Sequence, residues 1–177
     1  MGQYYKPVNE SKRQYLLAHA YGNKLKLMEH SYIDNDFVRA VEALIGEGGP
    51  WHGDVWTWEG DCADDFEPAP DGDETWNLYH KAGCEFEKIH PDPIAESRRF
   101  VANASRRLFI DCSKIPADRW NSRIHPMPLL LSAGNGRGGG DYRGASVDSV
   151  GSWHGDVVWT ADAAPEGFVE VTFDFHE

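Results

Sequence analysis

Cysteine is scarce: Cys62, Cys84 and Cys112 are the only three in 177 residues. An odd count without a CxxC pair excludes a disulfide framework or zinc knuckle and predicts reduced thiols. No apolar run approaches the ~18 residues that span a bilayer, so no membrane association is expected. The opening Met-Gly-Gln-Tyr-Tyr-Lys lacks the apolar core of a secretory leader, and Lys6 stands where a myristoylation signal has Ser or Thr. A cytoplasmic protein is expected. The sequence also lacks a nucleophile elbow, an HExxH pair and a Ser-His-Asp arrangement. No catalytic residue, metal site or cofactor is assigned, and the reading leans away from an enzyme.

Basic residues are missing from two long stretches. Ala40 to His80 holds eleven acids and no Lys or Arg, and Gly144 to Glu177 holds seven acids and none. The stretch between them, Lys81 to Arg143, has eleven basic and seven acidic residues, within a net charge of −12. The acidic zones would repel a phosphate backbone, so nonspecific nucleic-acid binding is disfavoured. They would attract a protein with a basic surface. Asp61, Asp64, Asp65, Asp71 and Asp73 are the candidate contacts, though a solvated acidic face explains the same pattern. This acidic loop, with Glu59 and Glu74, lacks the D-x-D-x-D-G spacing of a calcium loop.

What the chain does contain is globular material. It is 41% apolar with seven Trp, seven Tyr and eight Phe. That is enough for a single domain over residues 1–177. One phrase occurs twice: Trp51-His52-Gly53-Asp54-Val55 returns as Trp153-His154-Gly155-Asp156-Val157. His and Asp two apart would share a face in a strand, where they could serve base catalysis or a metal. The competing reading is architectural: Trp as core anchor, Gly-Asp as turn, Val as strand start. It favours two equivalent strand starts within one sheet.

The patterning predicts an α+β fold, with a mostly antiparallel sheet, one main helix at about 35–46 and long loops. The helix follows from Asn35 as cap and from Phe37, Val38, Val41, Leu44 and Ile45 at helical spacing. Strands are expected at 25–33, 55–58, 157–160 and 168–175, the last alternating strictly. A hairpin is expected over Arg99–Asp111, and a short helix over 76–82 capped by Thr75. Residues 61–74 read as a surface loop, and Pro116, Pro126 and Pro128 mark further loops.

The glycine-rich segment Gly134–Gly144 is the second candidate site. Consecutive glycines let backbone N–H groups converge into an anion nest. Asn135, Gly136, Arg137, Gly138, Gly139, Gly140, Asp141 and Arg143 are its candidate ligand contacts, the arginines for a phosphorylated small molecule. It matches neither GxxxxGK[ST] nor GxGxxG. A tight backbone crossing is the alternative.

Residues 1–7 (MGQYYKP), 25–32 (LKLMEHSY), 100–116, 123–130 (RIHPMPLL), 134–144 (GNGRGGGDYRG) and 150–153 (VGSW) together resemble a family of uncharacterised bacterial and phage proteins. The resemblance covers most of the chain and carries no activity. In that family the residue after the second Trp is often small, where this chain has His154, which weighs against a catalytic role for the histidines. The resemblance implies a phage or mobile-element setting and the host cytoplasm. By analogy it implies a non-enzymatic accessory protein, such as an inhibitor of a host system. The alternative is a nucleotide- or phosphate-binding protein or enzyme using loop 134–144.

Overall fold

Two copies of one four-stranded unit make up the computed structural model, which describes residues 2–65, 67–68 and 75–175. The first unit contains β1 (Tyr5–Asn9), β2 (Gln14–Tyr15), α1 (Leu27–His30), α2 (Asp36–Ile45) and β3 (Thr57–Gly60). It closes with the small pair β4 (Glu67–Pro68) and β5 (Thr75–Trp76), then α3 (Leu78–Glu85) and β6 (Glu87–Lys88). The second contains β7 (Phe100–Asn103), β8 (Leu108–Asp111), α4 (Pro126–Leu130), β9 (Ser132–Ala133), β10 (Val158–Ala161) and β11 (Val169–Glu170).

The strand orders are β6-β2-β1-β3-β9 and β10-β7-β8-β11. Apart from β9 they match strand for strand and register for register. Val8 opposes Tyr15 and Thr57, as Ala102 opposes Phe109 and Trp159. Gln14 pairs in parallel with Glu87, as Leu108 does with Val169. Among the described residues five strand pairings are antiparallel and three parallel. The fold is therefore mixed α and β, with more parallel pairing and more helices than the sequence suggests.

Each hairpin turn is built the same way. Asn9-Glu10-Ser11-Lys12-Arg13 and Asn103-Ala104-Ser105-Arg106-Arg107 both end in an arginine with positive φ, 53° and 55°. In each, the Asn side-chain oxygen accepts from the N–H three residues on, Lys12 or Arg106, at 3.0 Å. The Asn amide then donates to the repeat: Asn9 to Asp54 at 2.9 Å, Asn103 to Asp156 at 2.7 Å. Gly53 and Gly155 both sit at φ 82°, a left-handed turn that favours glycine. Trp51 and Trp153 are buried, and their N–H groups donate to Leu44 and Leu130, each at 2.9 Å. The repeat is thus a turn clamped between a hairpin and a helix end.

The two copies meet. Val55 and Val157 form an antiparallel bridge with each other. Trp56 Nε1 donates across the junction to the Val158 carbonyl at 3.0 Å. The copies start strands in different sheets, β3 and β10, because each is tied to its own hairpin. Between the sheets lies one core, with Trp51, Trp56, Trp58, Trp153 and Phe37 among its largest buried side chains. Burial of each such ring contributes roughly 2–3 kcal/mol. The outer face of the first sheet is covered by α3, where Ala82 and Phe86 pack on Val8 and Tyr15.

The helix at 36–45 forms as expected, with Asn35 accepting from Phe37 N–H at 2.9 Å. The hairpin over 99–111 also forms. The shorter helix begins at Leu78 and is capped by Asn77, not Thr75. Three further expectations are corrected. Residues 25–33 hold a helical turn, α1, because Glu29 accepts from Lys26 N–H and Met28 N–H is bound by Gly140 O at 2.9 Å. Pro126 and Pro128 lie in α4; Pro126 sits in the first turn, where its missing N–H has no helical partner to lose. The alternation at 168–175 is paired as a strand only at Val169–Glu170. Beyond Val171 it leaves the sheet, and Phe173 and Phe175 turn into the core beside Trp153 and Tyr142.

The Asn clamps give a direct test. Asn9→Ala and Asn103→Ala should each lower stability by about 2 kcal/mol, because each removes the amide that joins the turn to a half-buried aspartate and leaves a turn N–H without its acceptor. Urea unfolding of the two variants checks this.

Candidate functional site

The repeat histidines pack at the junction, and the repeat aspartates hold the hairpins of their own units. His52 Nδ1 lies 2.9 Å from Ile45 O, with its ring against Trp159 of the other unit. His154 Nδ1 lies 3.0 Å from Thr57 Oγ1, again across the junction. Thr57 and Trp159 hold the same position in their units, so the two contacts are reciprocal. Asp54 and Asp156 accept from the hairpin asparagines. No group of three His, Cys, Asp or Glu placed to hold a metal occurs among the described residues.

The two sequence candidates, loop 134–144 and the acidic loop, converge on the N-terminal segment. Gly2 bridges to Gly139. Gln3, with its amide oxygen accepting from Cys62 N–H at 3.3 Å, reaches Asn135 Oδ1 and Asp141 Oδ2 through its nitrogen, each at 3.2 Å. Tyr5 OH donates to Asp141 Oδ1 at 2.9 Å, and Gly138 N–H donates to Asp141 Oδ2 at 2.7 Å. Burial, reinforced by Asp141, pushes the Tyr5 phenol far up. The N–H that an anion nest would offer is thus bound by the loop's own carboxylate. Arg137 and Arg143 are exposed and do not line the adjacent cavity of about 230 Å³, whose polar walls are Tyr5, Ser132, Asn135 and Asp141. A Cβ on Gly138 would sit 2.6 Å from Gln3 N, so the segment is a tight backbone crossing.

Two of the acidic-loop residues also have internal partners. Asp61 Oδ1 accepts from Tyr4 N–H at 3.0 Å, and Asp65 Oδ2 from Leu78 N–H at 3.5 Å. Asp64 is exposed. Asp71 and Asp73 lie outside the described residues.

Under α3 sits a buried Lys–Glu pair that the sequence did not single out. Lys6 and Glu59 oppose each other on β1 and β3. The Lys6 ammonium rests 4.0 Å from the Tyr79 ring centre and 4.4 Å from that of Tyr15. Burial lowers Lys6 to about 8. Burial, with Asp65 nearby, raises Glu59 to about 9. Both shifts oppose charge in a closed site, and α3 covers it from solvent.

The open site lies elsewhere. A cavity of about 480 Å³ carries Arg39, Arg98, Arg99 and Arg123 on its walls and Cys112 among its lining. It shares Ile33, Asp34 and Arg123 with a second cavity of about 270 Å³, so the two form one groove. Arg39 pairs with Asp36, Arg98 with Asp162 and Arg99 with Asp111. Arg99 holds the Asp111 carboxyl well below the usual carboxylate range. The Arg123 guanidinium has no partner among the described residues. Asp34 and Glu96 are the carboxylates on the wall, and Asp34 is turned to Ser97 N–H at 3.1 Å. Burial and Glu42 push the Cys112 thiol far up, so it offers no thiolate at neutral pH.

Beside the groove, Trp120 is 67% exposed. Its turn is held by Asp118, which accepts from Trp120 and Ser122 N–H at 2.9 and 2.8 Å. Arg119 stacks on its ring at 3.9 Å. The only sequence sign of this groove is the basic bias of Lys81–Arg143; its arginines come from separate segments. No family model, curated protein or solved structure matches the chain.

Two tests follow from these sites. Gly138→Ala should cost more than about 2 kcal/mol by forcing backbone apart, while Arg137→Ala should stay within about 0.5 kcal/mol; thermal unfolding separates them. Glu59 binds its proton more tightly folded than unfolded, so its contribution is present below pH 4.5 and lost as pH rises toward 9. Glu59→Gln should flatten that decline in a pH series of urea midpoints.

Proposed function

We propose that this chain is a non-enzymatic binding protein that holds an acidic segment of a partner protein in its arginine groove. The observation that carries the reading is Arg123, whose guanidinium has no partner among the described residues, at the junction of two cavities walled by four arginines, next to an exposed Trp120 stacked on Arg119. Guanidinium groups gathered in one groove favour carboxylates bidentately, and Trp and Arg are the residue types that anchor interfaces. Of the paired arginines, Arg98 is exposed together with its partner Asp162 and can exchange it at small cost. In the phage or mobile-element setting that the sequence resemblance implies, such a protein would act by occupying a host protein's surface.

The acidic loop supports the alternative of a basic partner less well, because Asp61 and Asp65 serve the fold. A phosphorylated ligand at loop 134–144 is supported less well because Arg137 and Arg143 stand apart from its cavity.

Fluorescence anisotropy with a labelled Glu-rich dodecapeptide tests the reading. Arg119→Glu with Arg123→Glu should weaken binding about 100-fold, roughly 1.4 kcal/mol per tenfold step. Arg137→Glu should leave it within twofold. Equal binding by both variants would sink the groove reading.

A further inference from the structure

We propose that the cavity beneath the glycine-rich loop binds a small organic cation, a short aryl- or alkyl-ammonium, through the Asp141 carboxylate. The site is separate from the arginine groove and does not rest on that reading.

The charge of the walls decides the class of ligand. The cavity of about 230 Å³ has Tyr5, Ser132, Asn135 and Asp141 on its polar side, and among the described residues no Lys or Arg lines it. Asp141 is buried. Both of its oxygens accept, the pattern of the ionised group: Oδ1 from Tyr5 OH, Oδ2 from Gly138 N–H and the Gln3 amide. All three donors are neutral. Among the described residues no Lys, Arg or His nitrogen lies within ion-pair distance of this carboxylate. The Lys26 stem passes Gly2 and Gly140 without pairing with it. Asp54, Asp111 and Asp156 are also shielded, and each of them has a cation: Lys12, Arg99 and Arg106. A carboxylate offers about four acceptor positions. Three are filled on Asp141, and the fourth is on Oδ1. An ammonium in the cavity supplies both that hydrogen bond and the missing counter-charge. A phosphate would meet the carboxylate with like charge.

The remaining walls suit a carbon skeleton. Leu27, Val147 and Val150 are apolar, and Tyr5 and Tyr142 add aromatic surface that attracts cations. The Tyr142 hydroxyl donates to Asp174 O at 3.1 Å and accepts from Ser146 N–H at 3.3 Å, so Tyr142 contributes ring rather than hydroxyl. Ser132 Oγ gives its proton to Leu129 O at 3.0 Å and offers the cavity only acceptor positions. The volume lies below the roughly 300–1,000 Å³ of sites for drug-sized ligands, which limits the occupant to a short amine. Glycine keeps the entrance clear. A Cβ on Gly134 would lie 2.5 Å from Tyr5 OH, and Gly136, at φ 65°, has open space around it.

The probe is 2-phenylethylammonium, with neutral 2-phenylethanol as its isostere. Added to ¹⁵N-labelled full-length protein, the ammonium should shift the amides of Gly134, Gly136, Asp141, Val147 and Val150 with a Kd of about 1 mM or tighter. The alcohol should bind at least about tenfold more weakly. Asp141→Asn should weaken ammonium binding about tenfold or more. Because Asp141 also holds Tyr5 and Gly138, two variants at Val147, which is 47% exposed, test the charge without touching the fold. Val147→Arg should weaken binding about tenfold, and Val147→Glu should leave it unchanged or tighten it. Arg119→Glu with Arg123→Glu should leave it unchanged, which separates failure here from failure of the groove. Three results would overturn the proposal: no shift of these amides at ten times the expected Kd, equal binding of the ammonium and the alcohol, or equal binding by the two Val147 variants.

Discussion

Everything in this structure hangs on the clamp in which a hairpin asparagine grips the aspartate of a Trp-His-Gly-Asp-Val turn. The asparagine oxygen closes its own hairpin, and its amide closes the turn that starts the next strand. One side chain therefore fixes two backbone reversals that are distant in sequence. Buried and bonded on both sides, it specifies register in a way that apolar packing cannot, because a slip of one residue would strand two polar groups. With register fixed in both units, the two Val residues that follow the turns arrive opposite each other.

The units then diverge in what they place around the shared frame. The first covers the outer face of its sheet with α3 and encloses Lys6 and Glu59 beneath it. The second puts Phe100 and Ala161 at those positions and has no covering helix among the described residues. Conversely, the second unit carries the long excursion 132–150, which crosses to the first sheet as β9 and fastens the N-terminal segment through Asp141. The glycine-rich stretch earns its composition there: it passes between Gln3 and Lys26 where side chains would collide.

The legible parts of the fold were those whose cause is local. Residues 36–45 announce a helix through cap and spacing, and 99–111 a hairpin through flanking apolar arms. The first hairpin was not legible, because Tyr5–Asn9 is buried on both faces and shows no alternation. Residues 25–33 alternate but are claimed by a cap at Glu29 and by Gly140, a partner more than a hundred residues away. The second shared signature, Asn-x-Ser followed by two basic residues, stands in plain view at 9–13 and 103–107. Only its pairing with the aspartates gives it meaning. The groove was the least legible feature, since Arg39, Arg98, Arg99 and Arg123 come from a helix and two separate connections, and no spacing rule joins them.

The bridge between Val55 and Val157 has a geometric consequence. Equivalent residues pair with one another in antiparallel fashion only about a local two-fold axis, the arrangement of an isologous dimer. The chain thus has the anatomy of a dimer whose subunits have been joined covalently. Fusion frees such a pair from the requirement that both halves be alike: one sheet can take on a fifth strand and its counterpart remain at four, which no strictly symmetric assembly permits.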